Sequence, residues 1–282
     1  MKDFIDAVIK FPFIRNALIA GLLSSVLFGV LGTLVTVRRI ASLAGAVSHA
    51  VLGGIGMALF LAASGIIPGM SPLTGAFIFA VISALIIGFV SLKAKQREDT
   101  VINAIWVIGM SAGVLFMAKT PGYVDPGVYL FGNILLISTG DLYLMAVLGV
   151  IVIILAWRFF PQIQAASFDE EFAQVRGVPA GGIFIILLIV AAAAIVLLQT
   201  FIGIVMVIAM LTLPSGTAGT WAKSLSMMMI ISCLFSALFS VSGLYLGWVL
   251  DMPVGAVTVI IAGFFFLAVT GIRALIRRRG RR

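Results

Sequence analysis

Nine stretches of about twenty mostly apolar residues follow one another along this chain, and a water-soluble fold has nowhere to put them. They fall near residues 17–37, 42–63, 73–92, 101–118, 141–160, 183–199, 201–221, 225–248 and 254–274. Each is long enough to cross the hydrocarbon core of a bilayer as a helix, whereas a barrel strand would show only about ten alternating residues. The chain predicted is all-α, a polytopic helical membrane protein of about nine transmembrane helices with residues 1–282 in a single transmembrane domain. The count becomes eight if 201–221 does not cross, because LPSGTAG (213–219) breaks that stretch and it follows its predecessor almost directly. Composition agrees: 62% of residues are hydrophobic and 10% charged, too few charges to cover a water-facing surface.

Basic residues orient the spans. With the N-terminus outside and the C-terminus cytoplasmic, fourteen of the eighteen Lys and Arg residues fall on inner segments, among them Arg38, Arg39, Lys93, Lys95, Arg97, Arg158, Arg176, Lys223, Arg273 and the tail RRRGRR. Lys2, Lys10, Arg15 and Lys119 remain outside. The net charge of +8 is thereby explained by topology and anionic lipid, with no nucleic-acid partner required. FIDAVIKFPFIRN, with an apolar side and scattered charges, is expected to lie on the outer surface, and no cleavable signal pattern precedes residue 30. PGYVDPGVYLFGNILLIST (121–139) is too broken by Gly and Pro for a span and reads as an outer loop with a short or re-entrant helix. The single cysteine, Cys233, permits no internal disulfide.

None of the ten acidic residues falls in the middle of a predicted span, and the chain lacks the phosphate-binding pattern G-x-x-x-x-G-K-[ST]. Carriers driven by protons or sodium usually need an intramembrane carboxylate. Many spans with neither feature suggest that energy comes from a partner, although a simple channel lacks both as well. The inner loop 162–182 is long enough to dock one. Ser167 reads as a helix cap followed by Asp169, Glu170 and Glu171 near the positive end of the dipole; Phe168, Phe172 and Val175 share a face; Arg176 and Gly177 close the helix before Pro179. Such a helix could lie on lipid or enter a partner's groove, and three clustered acids argue against the anionic inner leaflet.

His49, the only histidine, lies in SLAGAVSHAVLGGIG (42–56). Ala41, Gly45, His49 and Gly53 recur every fourth residue and form one stripe, with the glycines leaving room for another helix or a second copy of the chain to approach. Two roles stay open for the imidazole: a transient metal ligand in its neutral form, or a packing residue bonded to a backbone carbonyl or to Ser48. The twelve methionines, including Met227–Met229, point around their helices and read as packing or lipid contact.

Five stretches in order then resemble the permeases of metal-ion ABC transporters, the zinc, manganese and iron uptake group. They are RRIASLAGAVSHAVLGGIG (38–56), EDTVINA (98–104), YLFGNILLISTGDLY (129–143), SFDEEFAQVRGVP (167–179) and the pair IGIVMVIAMLTLPSGTA (202–218) with LDMPVGAVTVIIAG (250–263). The resemblance implies a permease subunit, not itself an enzyme, in the cytoplasmic (inner) membrane of a bacterium or archaeon. It would import a divalent transition metal, zinc first and manganese or iron next, by alternating access, with no permanent cofactor. It also implies partners: cytoplasmic ATPase subunits that hydrolyse ATP, a second permease copy as a homodimer, and an extracytoplasmic metal-binding protein. Phe168, Asp169, Glu170, Glu171, Phe172, Arg176 and Gly177 would form the coupling helix near 167–177, His49 the metal path, and Gly45 and Gly53 its packing. The family commonly reads Gly-Asp-Ala-x-Ser-His; here the aspartate position is Gly45. An autonomous channel or secondary carrier, or an ABC permease for a metal chelate, are the other readings.

Overall fold

The computed structural model describes residues 2–38, 40–93, 98–122, 124–132, 134–168 and 170–279. Thirteen helices and a 3-10 turn (Ile134–Leu136) follow in order: α1 (Lys2–Lys10), α2 (Pro12–Val37), α3 (Ala41–Ala63), α4 (Pro72–Lys93), α5 (Glu98–Lys119), α6 (Gly127–Phe131), α7 (Thr139–Arg158), α8 (Phe160–Phe168), α9 (Glu170–Val175), α10 (Ala180–Ile202), α11 (Ile204–Ala218), α12 (Leu225–Leu250) and α13 (Val254–Arg279). No strand occurs among the described residues. Large apolar side chains point outward along these helices, such as Leu234, Phe264 and Trp157, which suits a bilayer as solvent and not water.

Among the described residues, eight helices are long and apolar enough to cross: α2, α3, α4, α5, α7, α10, α12 and α13. The ninth expected span is the shorter apolar helix α11. Its start differs from the expectation, because α10 continues to Ile202 and the chain turns at Gly203, whose φ of 91° ends that helix. LPSG does not break α11. Pro214 sits inside it, and the hydroxyls of Thr212 before it and of Ser215 and Thr217 after it donate to the carbonyls of Ile208, Leu211 and Leu213 in the preceding turn. Such local bonds let a membrane helix tolerate proline.

The helices gather into two compact units. The first holds α1, α2, most of α7, α11, α12 and α13. Here α12 runs antiparallel to α2, with Gly29 against Cys233 and Gly21 against Ser240, and α11 runs alongside α2, where Thr36 and Ser215 share a 2.6 Å hydroxyl contact. Helix α1 packs against the end of α12, Phe4 edge-on to Tyr245 at 5.4 Å, while Ile5 and Ile9 face outward. At the start of α7, Ser138 and Asp141 cap each other's backbone, the Ser138 hydroxyl donating to the carboxylate at 2.7 Å.

The second unit holds α3–α6 and α8–α10. Helix α3 lies between α4 and α5, and α10 packs on α4 through Gly88 and Leu188. Helix α6 is the short helix expected within 121–139, opened by Asp125, whose carboxylate accepts from the Gly127 amide at 2.8 Å.

Candidate metal path and coupling hairpin

Small residues bring α3 and α5 together side by side and parallel. A Cβ on Gly53 would stand 2.8 Å from the carbonyl oxygen of Gly109, and one on Gly113 would stand 2.7 Å from that of Leu52. Backbones this close leave no room for side chains at these two contacts, which is how helices adhere where the surrounding lipid is as apolar as leucine. The glycine stripe expected around His49 is therefore present, and the helix it admits is α5 of the same chain.

His49 projects from this seam half-buried. Its ring stacks on the Trp106 indole, centroids 4.8 Å apart and planes 22° from parallel. One turn earlier, a Cβ on Gly45 would overlap that indole, reaching Cη2 at 2.7 Å. Gly45, His49 and Trp106 thus form one interlocked group in which the indole occupies the space that a side chain at position 45 would need. The Nδ1 of His49 and the hydroxyl of Ser48 are both buried without a hydrogen-bond partner, so the Ser48 pairing considered from the sequence is not made. Trp106 was missed in the sequence. Its pairing with His49 spans fifty-seven positions, and α5 has no local feature to mark it.

The inner loop is helical but built differently from the expectation. Ser167 is no cap: α8 begins at Phe160, with Pro161 in its first turn where a missing amide costs nothing, and runs through Ser167 to Phe168. Helix α9 then carries Glu170, Glu171 and Phe172 in its backbone, while Asp169 lies outside the described residues. Gly177 closes α9 as expected. At a φ of 77° its amide donates to Gln174 at 2.9 Å and that of Val178 to Ala173 at 2.9 Å, the pair of bonds that caps a helix through a left-handed glycine.

Ala166, Ala173 and Ala180 bury one another, folding α8 and α9 as a hairpin against the start of α10. Phe168 and Val175 project from it, 67% and 87% exposed, and Arg176 is also at the surface. A second residue that sequence reading took only as a topology anchor fastens this hairpin. Arg38, two residues before the α3 N-cap, donates from Nη2 to the Ala166 carbonyl at 2.6 Å and lies over the Phe184 ring of α10 at 4.8 Å. The carbonyl belongs to the last turn of α8, where a cation also meets the negative end of the helix dipole. The hairpin is therefore tied to the root of the helix that carries His49.

Comparison with known proteins gives a consistent result. Residues 10–272 match the model of the ABC 3 transport family. The manganese transport system membrane protein MntC of Halalkalibacterium halodurans is 31% identical over 264 residues, 93% of this chain and 88% of that protein. A probable metal transport system membrane protein of Chlamydia trachomatis is 33% identical over 253 residues, 89% of this chain and 86% of that one. Among solved structures, PsaBC from Streptococcus pneumoniae in complex with Fab superposes with a TM-score of 0.82 at 30% identity, covering 95% of this chain and 94% of that one. An inward-facing putative metal-chelate type ABC transporter shares the fold alone, with a TM-score of 0.70 at 16% identity.

Proposed function

The chain belongs to the ABC 3 transport family, and on that premise we propose that it is the membrane permease subunit of an ATP-driven importer of a divalent transition metal. The observation that carries this reading is the hairpin α8–α9, with Phe168 and Val175 bare at its surface and Arg38 fastening its last helical turn to the base of α3. Two exposed apolar side chains beside Arg176 suit docking into a groove of a cytoplasmic ATPase subunit. A displacement of the hairpin is passed by Arg38 to α3, and with it to His49. ATP binding and hydrolysis on the partner then drive alternating access between two arrangements of the path. The N-terminus lies outside and the C-terminus in the cytoplasm of a bacterial or archaeal inner membrane. A second copy of this permease completes the path, and an extracytoplasmic binding protein delivers the ion.

His49 lines that path as a transient ligand. One imidazole per chain binds weakly, which suits a conduit that must release its cargo. Zinc is the first candidate, with manganese and iron next. Names of relatives such as MntC support manganese, whereas an imidazole without a neighbouring carboxylate favours zinc.

Uptake of labelled zinc, manganese and iron into cells carrying the whole importer tests this reading. His49→Ala is expected to lower uptake at least about tenfold with the protein still in the membrane. Phe168→Ala combined with Val175→Asp is expected to lower it as far by releasing the ATPase. Equal uptake in all three strains would refute the assignment. So would accumulation of metal by the purified chain alone in vesicles under a pH or sodium gradient, which would favour a secondary carrier.

A further inference from the structure

Trp106 does more at His49 than fill space. A histidine that binds metal usually has its ring fixed by a hydrogen bond from the nitrogen facing away from the metal, and here Nδ1 has no such partner. What fixes the ring is the indole stacked across one face at 4.8 Å. The same indole denies position 45 to any side chain, since even a methyl there would overlap it. Position 45 is one helical turn before His49 on the same face, where an oxygen ligand could share an ion with the imidazole. With the slot closed and apolar, both a protein carboxylate and water are kept from that side of the site.

Ligand chemistry then selects among divalent ions. Imidazole suits zinc, copper, iron and nickel, while carboxylate and water oxygens suit manganese, magnesium and calcium. Hydrated manganese binds an isolated imidazole weakly because it forfeits oxygen ligands and regains little. We propose that Trp106 is the specificity-determining residue of this path: it holds His49, closes the slot at Gly45 to oxygen donors, and so biases the site to zinc over manganese. The inference rests on the reading that His49 lines the metal path, and it deepens that reading by naming which ion the path prefers and which residue enforces the choice.

Because His49 is the only histidine of this chain, a modified histidine in its own peptides reports this site alone. In membranes containing the assembled importer, the rate at which diethyl pyrocarbonate modifies His49 is followed by mass spectrometry against rising zinc or manganese. Zinc is expected to protect wild type at a concentration at least about tenfold below manganese. Trp106→Phe, which keeps a ring over the imidazole, retains that separation; Trp106→Ala, or Trp106→Leu where the alanine variant does not accumulate, narrows it severalfold. Gly45→Asp together with Trp106→Ala, which opens the slot and puts a carboxylate in it, narrows it further or reverses it. If the separation is the same in every variant, Trp106 does not set the preference and the proposal falls while the path reading stands. If neither metal protects wild-type His49, the path reading itself fails and this inference with it.

Discussion

Two seams in this molecule are built from the same small residues and have come to different ends. Between α2 and α12, Gly29 meets Cys233 and Gly21 meets Ser240; between α3 and α5, Gly53 meets Gly109 and Gly45 meets Trp106. Both exploit the rule that helices in lipid approach through glycine, serine and alanine. In the first, every gap is closed by backbone or by a side chain of one or two heavy atoms. In the second, one glycine gap admits an entire indole, and the imidazole one turn on gains a stacked neighbour. Close packing makes a seam adhesive; a gap that takes in a ring, under the function proposed above, also holds the metal path.

The largest effect should come from breaking the first seam. A Cβ on Gly29 would lie 2.5 Å from the backbone nitrogen of Cys233 and 2.7 Å from its Cα. Backbone cannot swing aside as a side-chain tip can, so Gly29→Val must part the two helices. The expected loss exceeds about 3 kcal/mol, enough to clear the protein from the membrane, and immunoblots of membrane fractions with melting in detergent measure it. A variant that accumulates and melts like wild type would show that the seam is looser than its geometry says.

A milder change in the other seam separates packing from transport. Gly53→Ala places its methyl 2.8 Å from the Gly109 carbonyl oxygen and 3.3 Å from the Phe79 ring. The ring can turn and the carbonyl cannot, so a cost of about 1–3 kcal/mol is expected, smaller than at Gly29. The displaced α5 carries Trp106 away from His49, and metal uptake should fall by more than the loss of protein accounts for. Uptake that merely tracks protein level would make the two seams equivalent and remove the functional contrast.

Run length made the spans legible in the sequence, because about twenty apolar residues admit little besides a crossing helix. The closing turn at Gly177 was legible too, since the left-handed position and the following proline are local features. What the sequence could not show was which residue enters which gap. Gly45 and Trp106 are sixty-one positions apart, and the glycine stripe fitted a second copy of the chain as well as α5. Ser167 misled for a related reason: a serine before acids has the pattern of a cap, but the helix was already running, started by Phe160 and Pro161. Likewise Arg38 reads as one more inner charge until the Ala166 carbonyl is found against it.

The smallest effect tests whether the first seam hides chemistry of its own. Ser232, Ser236 and Ser240 lie on one face of α12, all buried, and their hydroxyls have no hydrogen-bond partner. If this row formed a second polar route, Ser236→Ala would depress uptake as His49→Ala does. If it serves only close packing, the substitution removes an orphaned polar atom while keeping the small volume that α2 requires. An unpaired buried hydroxyl costs stability, so Ser236→Ala should leave uptake unchanged and leave melting the same or raise it by up to about 1 kcal/mol. A several-fold fall in uptake at normal protein levels would place function in both seams. The different fillings of their glycine gaps would then no longer account for the metal path proposed at His49.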